Sequence, residues 1–171
     1  RGLQVPFPIT NISPRIMDRS RITQISVGIL PASRSKEDEA SIQEALDYRG
    51  PEFKASLIEP EFDPVQFSEF DIVIDSLGVD YHGYLGALAM GQGVAILTGR
   101  HASKAYEHQL KTLPSIRARP GELTELLIQL RREKVDSYRH QALRFAQENY
   151  SPASVAELLL RLVNEKTAYG S

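Results

Sequence analysis

Apolar and polar positions follow two rhythms along the chain. Short runs rich in β-branched residues predict five strands: ITQISVGIL (22–30), FKASLIEP (53–60), DIVID (71–75), GVAIL (93–97) and PSIRA (114–118). Helical spacing fills the intervals. SRSKEDEASIQEALDY predicts a helix with Ser35 as cap, Asp38 at the capping-box position and Ile42, Ala45 and Leu46 on its inner face. A short helix is expected over about Tyr84–Gly91 and another over HASKAYEHQL (101–110). Beyond the fifth strand, Leu123, Leu126, Leu127 and Leu130 recur at i, i+3, i+4 and i+7, and Tyr138, Ala142 and Phe145 continue a similar face. A last helix opens with Ser151 as N-cap and Pro152 in the first helical position, and its stripe is Val155, Leu159, Leu162 and Val163.

Strands alternating with helices predict a parallel sheet covered on both faces, a Rossmann-like α/β domain. We place this domain at 21–150. A Pro-, Arg- and Ser-rich linker or interdomain arm precedes it over 1–20, and a C-terminal helix at 151–171 packs on it. A chain of 171 residues is long enough for one domain with a proper core. The opening RGLQVPFPI, without an initiator methionine, reads as the start of a piece excised from something longer.

Composition narrows the chemistry. Twenty basic residues against 22 acidic ones argue against nucleic acid as the main partner. With no cysteine, disulfides, thiol catalysis and thiolate metal sites are excluded. No apolar run approaches the roughly 20 residues that span a bilayer, and no signal-peptide pattern opens the chain, so the cytoplasm is the expected location. His101, His108 and His140 lack zinc-type spacing, and no metal or cofactor is expected. G-x-G-x-x-G, Walker and G-x-S-x-G signatures are absent as well.

The candidate chemistry lies where the strands end. In such sheets ligands bind outside the carboxyl ends of the strands, beside helix N-termini. The first strand delivers LPASRSK to that rim, the third SLGVDYHG and the fourth TGRH. Arg34 and Lys36 bring positive charge, or are solvated charges at a helix start. The helix after Gly83 brings N–H groups and a positive dipole end, which favour an anion by about 0.3–1 kcal/mol. Five glycines fall between Gly78 and Gly93, where Asp80 is the only charge. Either they permit close helix–sheet packing or they let a ligand reach the backbone, and Gly83, beside His82, is the best backbone candidate. Together these features suit a diphosphate.

The run from Asp71 resembles the donor-binding, C-terminal half of retaining glycosyltransferases of the GT-B fold, family 4. Many members carry a strand like A-D-I-V-V-D-Q-L, a glycine turn and then E-A-M-A-x-G-x-P-V. DIVIDSL, YHG and LAMGQGVAI follow that order without a gap. ILPASRSKEDEASIQEAL (29–46) resembles the family's first strand–loop–helix, with Pro31, Ser33, Arg34 and Lys36 in matching places. VPFPI (5–9) resembles its interdomain segment, and RFAQENYSPASVAELLLRLV its closing helices.

The resemblance implies a nucleotide-sugar donor on the rim, with its diphosphate on Arg34, Lys36 and the amides near Gly83–Tyr84. Pro31, Ser33, His82 and Leu88 would be further donor contacts. It also implies retention of anomeric configuration, metal-independent stabilisation of the leaving nucleoside diphosphate and a role in making a surface or secreted glycan. The acceptor would bind a missing N-terminal domain of the same chain, through which peripheral membrane contact would also come. This half alone would bind at most the donor, and no catalytic residue is assigned.

Three positions depart from the pattern. Leu88 stands where the family has the glutamate that hydrogen-bonds the ribose, Ala95 where it has the proline, and Glu37 where a glycine follows the lysine. A lost hydrogen-bond partner at such a site costs about 1–3 kcal/mol. Two alternatives follow. One is a degenerate, non-catalytic glycosyltransferase-like interaction module. The other is a receiver-like phosphoacceptor domain, with Asp75 at a strand end, Thr98 ending the next strand and Arg119-Pro120 beyond the fifth. SVGILPAS lacks the acidic pair that would hold its magnesium.

Overall fold

A computed structural model describes residues 8–10, 12–13, 18, 23–31, 36–59, 63–78, 83–99 and 113–168. Five strands form one sheet: β1 (Ile25–Ile29), β2 (Phe53–Leu57), β3 (Ile72–Ser76), β4 (Ala95–Gly99) and β5 (Ser115–Ala118). Their order is β2-β1-β3-β4-β5, and each neighbouring pair is parallel. Helices α1 (Lys36–Asp47), α2 (Tyr84–Gly91), α3 (Leu123–Gln129), α4 (Arg132–Asn149) and α5 (Pro152–Ala168) surround it. The expected Rossmann-like α/β architecture is the one observed. The helix expected over 101–110 lies outside the described residues.

Strand alternation sorts the core into two layers, because successive side chains leave a strand on opposite faces. Ile72, Ile74, Ala95 and Leu97 point to one face, where they meet Ile42 and Ala45 of α1 and Leu123 and Leu127 of α3. Val73 and Ile96 point to the other and meet Ala87, Ala89 and Met90 of α2 and Ala142 and Ala146 of α4. Ile9 joins this second layer, its N–H donating to the Tyr150 carbonyl at 2.7 Å, and the Ser13 N–H donates to Gly91 at the same distance. A stretch of the expected arm is thus strapped along α2 and the end of α4.

Two glycines are dictated by local geometry. Gly93 has φ 72°, which L-residues with a Cβ seldom adopt, and it turns the chain from α2 into β4. The Val94 N–H then bonds back to the Ala89 carbonyl, so β4 begins at Ala95 rather than at the expected residue 93. A Cβ on Gly28 would lie 2.7 Å from Ile58 Cδ1 and 3.0 Å from Phe70 Cγ, so the middle of β1 is the seat for those side chains.

The last helix starts as its sequence predicts, with the Ser154 N–H donating to Ser151 Oγ at 3.2 Å. Its expected stripe is only partly buried. Val155 is covered, but Leu159 is exposed and Leu160 is 66% exposed, because α5 leaves the sheet and packs on α4. The side chains of Leu162 and Val163 lie outside the described residues.

α4 crosses from one layer to the other: Val135 belongs to the first, Ala142 and Ala146 to the second. It passes the amino ends of the strands, where Asp71 is fully buried. Arg132 Nη1 donates to Asp71 Oδ1 at 2.7 Å, and Arg139 Nη1 lies 3.7 Å from the same oxygen. The other carboxylate oxygen accepts the Ser26 N–H at 2.8 Å and the Ser26 hydroxyl at 3.1 Å. The guanidinium groups reach further, Arg132 to the Gln24 carbonyl at 2.7 Å and Arg139 Nε to the Gly93 carbonyl at 3.1 Å. Asp136, 3.1 Å from Arg139 Nη1, completes a group with two charges of each sign.

Removing one partner of a buried ion pair leaves the other charge uncompensated, at a cost of about 3–5 kcal/mol. Asp71→Ala should lower unfolding free energy by that amount in urea denaturation. Asp136→Ala, at the partly exposed end of the network, should cost less than about 1 kcal/mol.

Candidate functional site

The strand order reverses between β1 and β3, which lie side by side while their following helices go to opposite faces of the sheet. Such a switch point opens a crevice at the carboxyl ends of the strands. The start of α1 borders it on one side and the start of α2 on the other. Lys36 is the first residue of α1 and is exposed, and Pro31, just past β1, is exposed too. Gly83 is the exposed N-cap of α2, and Tyr84, its first residue, is 51% exposed. Lys36, Gly83 and Tyr84 are thus brought to one crevice. Ser33, Arg34, His82 and Asp80 lie outside the described residues.

Leu88 takes a different place. It is half-buried and packs against the second core layer with Phe145 and Ile12. An apolar residue suits that helix face, whose neighbours Ala87, Ala89 and Met90 are all buried.

Asp75 takes a place that strand and helix periodicity does not reveal. It sits at a bulge in β3: Ile74 pairs with Leu97 and Ser76 with the very next residue, Thr98, leaving Asp75 unopposed. Bulges re-aim side chains and are frequent beside functional sites. Here the carboxyl group turns to the start of α2, where it accepts the Gly83 N–H through Oδ2. No side chain of the helix's own first turn does this, since the N-cap is a glycine and that turn carries no acidic residue. An anion on this helix end is favoured by dipole and N–H alike, and the chain supplies one itself.

Asp75 is 7% exposed. Burial pushes its carboxyl pKa above the ordinary value, against the opposing pull of the Gly83 N–H. No other described residue hydrogen-bonds it. Thr98, on the adjoining strand end and on the face that Ile96 shares with α2, is 0% exposed, and its Oγ1 has no hydrogen-bond partner among the described residues. Across the sheet, Asp38 of α1 is buried under Gly78, whose position would put a Cβ 3.4 Å from Asp38 Oδ2. The crevice floor therefore carries carboxylates from both sides, with Lys36 as the cation at its described rim.

Among the described residues no group of three or more histidine, aspartate and glutamate side chains could hold a metal ion. Nor is any described helix long and apolar enough to cross a membrane. No protein-family model matches the chain, and no curated protein matches it either.

A signal for Asp75 does exist in the sequence: a helix that begins at a glycine, without Ser, Thr or Asp in the cap position, needs an outside acceptor for its first N–H. The nearest upstream acid on a strand end is Asp75, eight residues before Gly83.

Stability should reflect this burial. With its folded pKa above the unfolded value near 3.8, Asp75 holds its proton more tightly when folded. Its burden on stability is absent below the unfolded pKa, grows as pH rises towards the folded pKa and is complete above it. Asp75→Asn should therefore raise the melting temperature at pH 7 and leave it nearly unchanged at pH 3. Thr98→Val, which removes an unpaired buried hydroxyl, should leave stability unchanged or raise it by about 1 kcal/mol in urea titrations.

Proposed function

We propose that the chain is the donor-binding half of a retaining glycosyltransferase, with a nucleotide-sugar lying in the β1/β3 crevice. The observation that carries this reading is the switch point itself, which sets Lys36 at the start of α1 across from Gly83 and Tyr84 at the start of α2. The order of motifs from ILPASRSK through DIVIDSL to LAMGQGVAI supports the same assignment.

Asp75 refines where the charge goes. Because its carboxylate already accepts the Gly83 N–H, the diphosphate is assigned to Lys36 at the start of α1 and, from its place in the sequence alone, to Arg34. Two cations there stabilise the nucleoside diphosphate as it leaves, an electrostatic task that needs no bound metal. In the family this half resembles, the reaction takes place in a cleft between two domains. The acceptor and the remaining groups then come from the other half, and the product is a glycan for the cell surface or for export.

A second reading is a degenerate module that docks a partner and transfers nothing. It is favoured by Leu88, which faces the core in place of a ribose-binding glutamate, and by a carboxylate on the helix end where the family's donor rests.

Calorimetric titration with UDP, GDP and ADP separates the two. The donor-domain reading expects saturable binding of one of them, weakened about tenfold, or 1.4 kcal/mol, by Arg34→Ala or Lys36→Ala. Failure of all three to bind a folded chain at millimolar concentration overturns it in favour of the docking module.

A further inference from the structure

The unused half of Asp75 points to what rests beside it. One carboxylate oxygen is engaged by the Gly83 N–H, and no other described residue donates to the group, although it is almost wholly buried. One strand over and on the same face, Thr98 Oγ1 is buried without a partner among the described residues. Buried polar groups in folded proteins are nearly always paired, so the unpartnered Thr98 hydroxyl, beside the second Asp75 oxygen on the adjoining strand end, calls for an explanation outside the described residues. The neighbouring wall is apolar or small: Gly83 has no side chain, and a Cβ there would stand 3.7 Å from Asp75 Oδ2.

The chemistry that fits is restricted. A second anion next to Asp75 would meet like charge in a poorly solvated place, so phosphate is disfavoured there. A hydroxyl is favoured. It donates to the free carboxylate oxygen, and its neighbour on the same ring exchanges a hydrogen bond with the threonine. Carboxylates reading paired sugar hydroxyls serve this purpose in other dinucleotide-binding α/β sheets, there from a different strand end.

We propose that Asp75, assisted by Thr98, is the hydroxyl-reading pair of the crevice and selects a ligand bearing a vicinal diol, from the ribose or from the hexose of a nucleotide-sugar. This assignment rests on the nucleotide-sugar reading above and adds to it the residue that replaces the missing family glutamate. Leu88 cannot accept a hydrogen bond and faces the core, whereas Asp75 approaches the same helix from the sheet below it.

The test uses the intact chain and calorimetry with whichever of UDP, GDP or ADP binds, together with its 2′-deoxy and 3′-deoxy analogues and a corresponding nucleotide-sugar. If the diol is the ribose, a deoxy analogue binds the wild-type chain at least tenfold more weakly than the parent, and Asp75→Asn levels the difference. If it is the hexose, the nucleotide-sugar binds at least tenfold tighter than the nucleoside diphosphate, and Asp75→Asn abolishes that gain. Thermal melting of the variant checks that it folds, and the wild-type comparison of analogues stands without it.

Equal affinity for parent, deoxy analogues and nucleotide-sugar overturns the diol assignment while leaving the nucleotide site intact. Uniform tightening of every ligand by Asp75→Asn overturns it too, since the carboxylate then merely repels phosphate. A folded chain that binds no nucleotide overturns both readings together.

Discussion

Two arginines converge on one buried carboxylate, and the rest of the molecule is arranged around that convergence. Asp71 stands at the amino end of β3, the middle strand of five, and its oxygens are shared between β1 through Ser26 and α4 through Arg132 and Arg139. α4 follows all five strands and three of the described helices along the chain, and its apolar residues divide between the two core layers. Nothing in a helix that straddles a sheet edge fixes its height along the strands, because hydrophobic contact is non-directional. The guanidinium groups supply that direction. Arg139 also reaches the carbonyl of Gly93, so the same helix is tied to the positive-φ turn that launches β4.

The opposite edge of the sheet is built on a different balance. At the amino edge, carboxylates and guanidinium groups answer one another in equal number. At the carboxyl edge, Asp75 answers only a backbone N–H, and Thr98 answers nothing among the described residues. Burial there raises the carboxyl pKa rather than being offset by a cation. A domain can tolerate such cost where the rest of the structure holds the groups in place, and that is the ordinary condition of functional sites. The ion-paired amino edge and the under-satisfied carboxyl edge thus contrast: the first ties β1, β3 and α4 together, and the second leaves the Thr98 hydroxyl without a partner among the described residues.

How much of this could be read beforehand follows from what hydropathy reports. Alternation and period record burial, so the five strands, α1, α2 and the start of α5 are visible in the chain. DIVID shows the limit. Its two aspartates flank the same apolar trio and look alike in sequence, yet Asp71 is held by an arginine 61 residues away and Asp75 by an amide eight residues on. Polar partnerships across that distance leave no periodic trace. Leu159 marks the limit from the other side: its spacing is that of a core stripe, but spacing cannot say whether a facing surface exists, and among the described elements α5 packs chiefly on α4. On the rim, Lys36, Gly83 and Tyr84 were legible because loop position follows from strand order. The bulge that aims Asp75 was not, since it is a property of pairing between strands.

Strand order alone does not choose among functions. The sequence β2-β1-β3-β4-β5 suits nucleotide-binding and phosphoacceptor domains equally, and superfolds of this kind carry many chemistries. The choice falls to the residues at the strand ends. A phosphoacceptor aspartate must be open to attack and must share magnesium with further acids, whereas Asp75 is turned beneath a helix, occupied on one side by an amide, and β1 is followed by Leu30 and Pro31. A group so placed is poorly suited to accept a phosphoryl group and well suited to accept hydrogen bonds. Held by Gly83 at a fixed point between two strands, it offers a preorganised acceptor whose orientation has already been set by the fold, so a ligand that meets it loses little in ordering it. The same carboxylate thereby gives the switch point a polarity, with the cation Lys36 at the start of α1 on one side and the acceptor Asp75 under the start of α2 on the other.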